Sequence, residues 1–124
     1  MPSFQKRFTL EQRIAESQKI REKYPNRVPC IVERNHTASS EIPDISKHKY
    51  LVPDQLKIAE IMAIVRKRMG TAMKAEHALF LFVHNGEKTF VAPAGLTIGQ
   101  IDDKHRNKDG FVYIEYTGET TFGF

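Results

Sequence analysis

Apolar residues repeat with helical spacing in the segment "QLKIAEIMAIVRKRM". The repeat falls at i, i+3, i+4, i+7 and i+11, and its members are Ile58, Ile61, Met62, Val65 and Met69. These positions share one face of an α-helix. Asp54 precedes the segment and is a candidate N-cap residue. The pattern predicts a helix that begins just after Asp54 and packs through this face.

The apolar face of this predicted helix is wider than a single contact with a sheet requires. Leu56 and Ile64 lie away from the centre of the stripe. The extra width is typical of a broad core face, but it also fits a second groove that faces a partner. The periodicity alone leaves both interpretations open.

The N-terminal segment predicts helices of a more polar kind. Thr9 and Gln12 have the spacing of a capping box. A helix is expected from Leu10 until Pro25, where proline ends it. A short helical turn over residues 4–8 is predicted before it.

Short apolar or β-branched runs predict strands at residues 28–33, 49–53, 78–83 and 111–116. Thr97 and Gln100 form a second possible capping box, which predicts a short helix before the turn sequence "NKDG". Helices and strands therefore mix along the chain. The expected class is α+β, with a mixed sheet and helices on its faces.

Length and composition indicate a single folded domain. The chain has 124 residues, 40% of them hydrophobic. No apolar run approaches the roughly 20 residues of a membrane span, and the start "MPSFQKRF" lacks the apolar stretch of a secretion signal. The single cysteine cannot form an internal disulfide, which fits a reducing cytosol. We therefore expect a cytoplasmic protein.

The formal net charge is +4, and the densest basic run is "RKR" at residues 66–68. A cationic helix end in solvent explains this run at least as well as an anion-binding role. No aromatic-interleaved nucleic-acid signature accompanies it, so no specific nucleic-acid partner is expected.

The sequence shows no constellation of catalytic residues. The five histidines have no metal-ligand spacing with one another or with Cys30. Cys30 lies among Val and Ile in "RVPCIVE", where a small apolar thiol usually packs in the core. We expect neither an enzyme nor a bound metal or cofactor.

Several longer blocks resemble a known family. They are "AESQKIREKYPNRVP" (residues 15–29), "KYLVP" (49–53), "VRKRM" (65–69), "LFLFV" (79–83), "KDGFVYIEY" (108–116) and the ending "TFG". In this order they resemble the lipid-conjugated ubiquitin-like modifiers of autophagy, which include the GABA-receptor-associated protein and its yeast relative. The resemblance implies a ubiquitin-like β-grasp core at residues 25–116. Two additional N-terminal helices would occupy residues 1–24, and a flexible tail residues 117–124.

The resemblance also implies a role for the tail. A processing cysteine protease would remove Phe124 and expose Gly123. Activating and conjugating enzymes of the autophagy pathway would then join Gly123 to phosphatidylethanolamine. The protein would be cytoplasmic at first and located on the autophagosome membrane after lipidation.

A second implied function is to bind cargo receptors through motifs of the form aromatic-x-x-aliphatic. The resemblance assigns an aromatic pocket to Glu16, Ile20, Pro29, Ile31, Lys49, Leu51 and Phe111. It assigns an aliphatic pocket to Tyr50, Val52, Pro53, Leu56, Ile61 and Ile64, and a basic rim to Arg27, Lys47 and Arg68. On this basis the wide face of the predicted helix is a partner-facing groove.

The sequence departs from the family pattern in places. "KIAEI" at residues 57–61 replaces the usual residues, so Ile61 stands where phenylalanine is common, and Cys30 stands where valine is usual. The main alternative function is a trafficking adaptor that uses the groove without conjugation. A small basic nucleic-acid binder is a weaker one.

Overall fold

Backbone pairing joins five strands into one mixed sheet in the order β2-β1-β5-β3-β4. The computed structural model describes residues 3–35, 42–70 and 78–118. In chain order the elements are α1 (Phe4–Arg7), α2 (Leu10–Lys23), β1 (Arg27–Arg34), β2 (Lys49–Pro53), α3 (Ile58–Met69), β3 (Phe80–His84), β4 (Thr89–Val91), α4 (Ile98–His105) and β5 (Val112–Thr117). The α+β class and the N-terminal helical pair predicted from the sequence are confirmed.

The centre of the sheet is a parallel pair. β1 runs parallel to β5, with Cys30 opposite Val112 and Arg34 opposite Tyr116. The other pairings, β1 with β2, β3 with β5 and β3 with β4, are antiparallel. The outer edges of the sheet are therefore β2 and β4.

Each face of the sheet has its own apolar cluster, because alternate side chains of a strand point to opposite faces. The main cluster joins α3 and α4 to the sheet, and it includes Val28, Cys30, Val32, Ile58, Ile61, Val65, Leu81, Ile98, Val112 and Ile114. The second cluster, on the other face, contains Phe4, Ile31, Phe111 and Tyr113, with Ile20 packed against it. The N-terminal helices therefore cover a small aromatic cluster, and α3 covers the larger core.

The predicted start of α3 is wrong. The helix begins at Ile58 with Lys57 as N-cap residue, and the Lys57 N–H donates to the Glu60 carboxylate at 3.1 Å. The backbone before it pairs elsewhere: the Asp54 carbonyl accepts from the Gly99 N–H at 2.9 Å. Because Asp54 lies in a turn that contacts this distant segment, three residues before the N-cap Lys57, it does not cap the helix. The buried stripe of α3 is confirmed at Ile58, Ile61, Val65 and Met69.

Both predicted capping boxes are confirmed, at Thr9 with Gln12 and at Thr97 with Gln100. The sequence-based prediction missed β4. This strand has 3 residues, too few to show a period, and it forms through pairing of Phe82 with Val91 and His84 with Thr89.

Polar side chains hold α2 in place. Arg13, Ser17 and Arg21 follow one another at helical spacing and all reach the segment that joins α4 to β5. We call the resulting group the α2 clamp, and it consists of Arg13, Ser17, Arg21, Asp102, Asp109 and Gly110. Arg21 binds the Asp102 carboxylate with two nitrogens, at 2.9 and 2.7 Å. Arg13 Nη1 lies 2.6 Å from Asp109 Oδ2, and the Ser17 hydroxyl donates to the Asp109 carbonyl at 2.5 Å.

Gly110 should be intolerant of a side chain. Its φ is +92°, and an added Cβ would meet Ser17 Cβ at 3.0 Å. We expect Gly110→Ala to lower the free energy of unfolding by about 2 to 4 kcal/mol, measured by urea denaturation. Gly95→Ala is the matched control, because no atom lies within 4 Å of its added Cβ. An equal loss in both variants would contradict this account.

Candidate functional site

β2 is an edge strand: within the described part of the chain, no strand pairs with the outer side of its backbone. Its inner side pairs with β1, with Arg27 opposite Pro53 and Ile31 opposite Lys49. One step further along the same register, the Val32 N–H donates to the His48 carbonyl at 2.8 Å. Val32 and His48 are therefore a hydrogen-bonded pair of the ladder.

Antiparallel ladders alternate hydrogen-bonded and non-hydrogen-bonded pairs, so this bond fixes the direction of every amide in β2. Tyr50 and Val52 turn their backbone groups toward β1. Lys49 and Leu51 turn theirs outward. Pro53 has no N–H, so the outward-facing backbone donors of β2 end at Leu51. The outward edge therefore presents the N–H and carbonyl groups of Lys49 and Leu51 to an incoming strand, with the Leu51 carbonyl already accepting one hydrogen bond from Arg27 Nη1.

A concavity of about 540 Å³ lies between this edge and α2. Its lining residues are Glu16, Ile20, Arg27, Lys47, Lys49, Tyr50 and Leu51. Four of the seven residues assigned to the aromatic pocket thus surround one hollow. The other three, Pro29, Ile31 and Phe111, are buried and do not line it. Ile31 and Phe111 are 0% exposed in the cluster that supports Ile20 from beneath.

Cations surround β2, and three of them, Arg27, Lys47 and Lys49, also line this hollow. Lys47 Nζ lies 5.2 Å from the centre of the Tyr50 ring, and the Arg68 guanidinium carbon lies 5.9 Å from it. Lys49 forms an ion pair with Glu16 across the hollow. Arg27 Nη1 donates to the Leu51 carbonyl at 3.3 Å. The three residues assigned to the basic rim are therefore found around β2, and they favour an anionic ligand.

Of the residues assigned to the aliphatic pocket, Tyr50 and Val52 point to the other face of the sheet, Ile61 and Ile64 belong to α3, and Leu56 lies between β2 and α3. Val52 and Ile61 are buried in the main cluster, and Tyr50 and Leu56 are half-buried against it. Pro53 is exposed. Most of these side chains are therefore covered by their neighbours, and they form the base of an apolar surface, not an open pocket.

Ile64 is the large apolar residue of α3 that remains open to solvent, with 41% of its surface exposed. Arg68 lies one helical turn further on, so the two side chains share a face of α3. Because the Arg68 side chain reaches the Tyr50 ring, this face of α3 is directed toward β2. The exposure of Ile64 shows that the broad stripe is not wholly core.

Tyr50 carries the only buried side-chain polar atom without a hydrogen-bond partner among the described residues, its hydroxyl oxygen. Burial raises the pKa of this hydroxyl, and the nearby Arg68 lowers it by less. The hydroxyl therefore remains a neutral donor at physiological pH.

The chemistry of a catalytic centre is not visible in the described residues. Cys30 is 0% exposed, and burial raises the pKa of its thiol far above its ordinary value. Residues 3–35, 42–70 and 78–118 contain no group of three or more His, Cys, Asp or Glu that could hold a metal ion. No helix in the same ranges has the length and apolar character to cross a membrane.

Comparison with known proteins identifies the family of this chain. The family described as "Autophagy protein Atg8 ubiquitin like" matches residues 12–123. The chain belongs to the Atg8 family. Autophagy-related protein 8b of Arabidopsis thaliana is 46% identical over 121 residues, which cover 98% of this chain and 93% of the relative. Autophagy-related protein 8d of the same plant is 43% identical over 121 residues, covering 98% and 94%.

Membership in the Atg8 family confirms the resemblance stated from the sequence blocks. It also confirms the ubiquitin-like α+β fold, which the five-stranded mixed sheet and its helices display. Gly123 and Phe124 lie outside the described residues, as do residues 119–122, so the assigned roles of the tail and its boundary stay predictions. The assignment of pocket residues likewise stays a prediction.

Sequence reasoning missed the α2 clamp, although a signal for it exists. Arg13, Ser17 and Arg21 are spaced four residues apart, which places them on one face of α2. This stripe is polar, and an analysis of apolar periodicity ignores it. Ser17 is the one buried residue of α2, over the whole of its described length.

Cys30 should be inert in the folded protein. The thiolate is the reactive form, and burial both hides the sulfur and keeps it protonated. We expect a thiol-specific chromogenic reagent at pH 8 to react about 100-fold or more slowly with the folded protein than with the protein in denaturant. One equivalent should react after unfolding, because the chain has 1 cysteine. Comparable rates in the two states would show that Cys30 is accessible.

Proposed function

We propose that this Atg8-family protein is a ubiquitin-like modifier that is conjugated through Gly123 to phosphatidylethanolamine on autophagic membranes. In the same proposal, its β2 edge recruits cargo receptors that carry aromatic-x-x-aliphatic motifs. Family membership supports the autophagy role. The observation that carries the binding role is the open β2 edge, with the hollow beside Ile20 on one face of the sheet and Tyr50 and the exposed Ile64 on the other.

The tail has the chemistry that such a conjugation requires. The family match extends to residue 123 and ends before Phe124. A processing cysteine protease would remove Phe124, and activating and conjugating enzymes would receive the new carboxylate as a thioester. Glycine has no Cβ, so its carbonyl can enter a narrow channel and stay open to attack by a thiol.

Lipidation changes where the protein resides. The free form would be cytoplasmic. Each buried CH₂ of an acyl chain contributes about 0.8 kcal/mol to membrane binding, and two chains anchor a protein stably. The conjugated form would therefore stay on the autophagosome membrane.

The spacing of the motif matches the geometry of β2. Successive side chains of a strand point to opposite faces, so residues three positions apart point to opposite faces as well. A peptide that pairs with the outward groups of Lys49 and Leu51 would direct one anchor toward the hollow beside Ile20. It would direct the other toward Tyr50 and Ile64 on the α3 side. Main-chain bonds supply affinity in this mode of recognition, and the two anchors supply specificity.

The protein itself catalyses nothing in this proposal. It is the substrate of the processing, activating and conjugating enzymes and then a docking surface for receptors. No cofactor and no specific nucleic-acid partner takes part.

A substitution in the tail and a substitution in the groove should each remove one function and leave the other intact. Gly123→Ala is expected to block trimming or activation, because a methyl group obstructs the channel that fits glycine. Peptide affinity should not change in this variant. Leu51→Ala should weaken motif binding by about 1 to 3 kcal/mol, the scale of a truncated interface anchor, and it should still be lipidated. A reconstituted conjugation assay and calorimetric peptide titration measure the two effects.

The results separate the alternatives. Efficient lipidation of the Gly123→Ala protein would contradict the proposed tail. Unchanged affinity of a folded Leu51→Ala protein would contradict the proposed groove. Peptide binding by the wild-type protein together with no lipidation at all would favour the unconjugated trafficking adaptor.

Acidic residues that flank the motif should strengthen binding through the basic rim. We expect Lys47→Gln to remove most of this gain, and we expect the gain in the wild type to shrink as salt rises, because rim charges are screened over about 8 Å at physiological ionic strength. Lys104→Gln on α4 is the charge-matched control. Calorimetry with neutral and acidic-flanked peptides at low and high salt measures the effect. A gain that does not depend on salt would count against a role for the rim.

A further inference from the structure

We propose that the α2 clamp positions the wall of the hollow that receives the aromatic anchor, and that Asp102 and Ser17 therefore control affinity for this anchor without touching the peptide. This inference rests on the motif-binding function proposed above. Asp102 and Ser17 would be positioning residues, since neither of them lines the hollow.

α2 has little apolar contact with the rest of the protein. Over its full length its one buried residue is a serine, and Leu10, Ile14 and Ile20 are only half-buried. By contrast, α3 buries four apolar residues in the main cluster. The position of α2 must therefore come largely from its polar contacts.

Those contacts are short, their carboxylates are shielded from solvent, and they join α2 to α4 and to the segment that follows α4. The Asp102 side chain is 7% exposed and that of Asp109 is 0% exposed. Arg21 also donates to the Gly110 carbonyl at 2.7 Å, and the Tyr113 hydroxyl donates to Asp109 Oδ2 at 2.6 Å. Hydrogen bonds between charged partners are strong and directional, and the two-nitrogen contact of Arg21 defines an orientation as well as a distance. The clamp therefore fixes both the position and the rotation of α2.

The clamp residues alternate with the residues that line the hollow. Ser17 follows Glu16 in the chain, and Arg21 follows Ile20. A rotation of α2 that displaces Ser17 and Arg21 must displace Glu16 and Ile20 with them. The wall of the hollow on the α2 side is thus coupled to the clamp.

The floor of the hollow is coupled to the same segment. The Phe111 N–H donates to Asp109 Oδ1 at 2.9 Å, and Phe111 belongs to the cluster on which Ile20 packs. β2 is held differently, since it is fixed by its ladder with β1. The aliphatic side depends on α3 and the main cluster. A change in the clamp should therefore affect the aromatic anchor and leave the aliphatic anchor unchanged.

Asp102→Asn tests this coupling because it keeps the size of the side chain and removes the charge that Arg21 binds together with Arg106. Asp103→Asn is the matched control: it is the next residue of α4, it is exposed, and it makes the same change in charge. Three peptides are titrated by calorimetry against each protein. One has both anchors, one has the aromatic anchor replaced by alanine, and one has the aliphatic anchor replaced by alanine.

We expect Asp102→Asn to weaken the two peptides that keep the aromatic anchor by about three- to tenfold, the range of coupling between neighbouring groups. Affinity for the peptide without the aromatic anchor should match that of the wild type. Asp103→Asn should match the wild type for all three peptides. Equal weakening of all three peptides by Asp102→Asn, or no weakening, would overturn the positioning role.

Ser17→Ala provides a second test that alters no charge and leaves Asp102 paired. It removes the 2.5 Å hydrogen bond to the Asp109 carbonyl. The same selective loss for the aromatic anchor is expected, and it decides the question if Asp102→Asn does not fold as judged by circular dichroism. If the proposed motif-binding function itself is wrong, the titrations give a different result. The wild-type protein would then bind the peptide with both anchors no more tightly than the peptides that lack one.

Discussion

The parallel pairing of β1 with β5 is the constraint on which the other features depend. Each of these strands has one further edge, and β2 and β3 occupy those edges as antiparallel neighbours. β2 is thereby placed at the outside of the sheet, next to a strand pair that is buried over most of its length. The candidate groove exists because neighbouring strands occupy both edges of this central pair, whereas the outer edge of β2 is open. The alternation along β2 then directs Leu51 to one face and Tyr50 to the other.

The two faces of this sheet are stabilised by different physics. The main cluster is apolar and large, and α3 contributes four buried residues to it. The opposite face combines a small aromatic cluster with the charged contacts of the α2 clamp. Apolar packing depends weakly on direction, whereas paired charges and hydrogen bonds define orientation. The polar contacts of the α2 clamp can therefore set the position of the hollow's wall on the α2 side. The apolar core holds α3 as a rigid base on the other side.

Local signals in the sequence predicted the elements that local interactions determine. The capping box at Thr9, whose partner lies three residues away, and the apolar stripe of α3, whose repeat is visible within the helix itself, are examples. The pairing of Lys57 with Thr97 and the short strand β4 depend on distant segments, and no local pattern reports them. For the candidate site, the resemblance supplied seven residues for the aromatic pocket, and the structure gathers four of them around one hollow. It could not show that Phe111 supports this hollow from inside, because burial is a property of the assembled fold.

An open edge is a hazard as well as a binding surface, because unpaired backbone groups can recruit another copy of the same strand. β2 is short, and it carries the exposed Lys49 at one end and Pro53, which lacks an N–H, at the other. Lys47 and Arg68 add positive charge beside it. Two copies of this edge would bring like charges together, whereas an acidic peptide would neutralise them. The same cations that discourage self-association thus favour the kind of ligand that the proposed function requires.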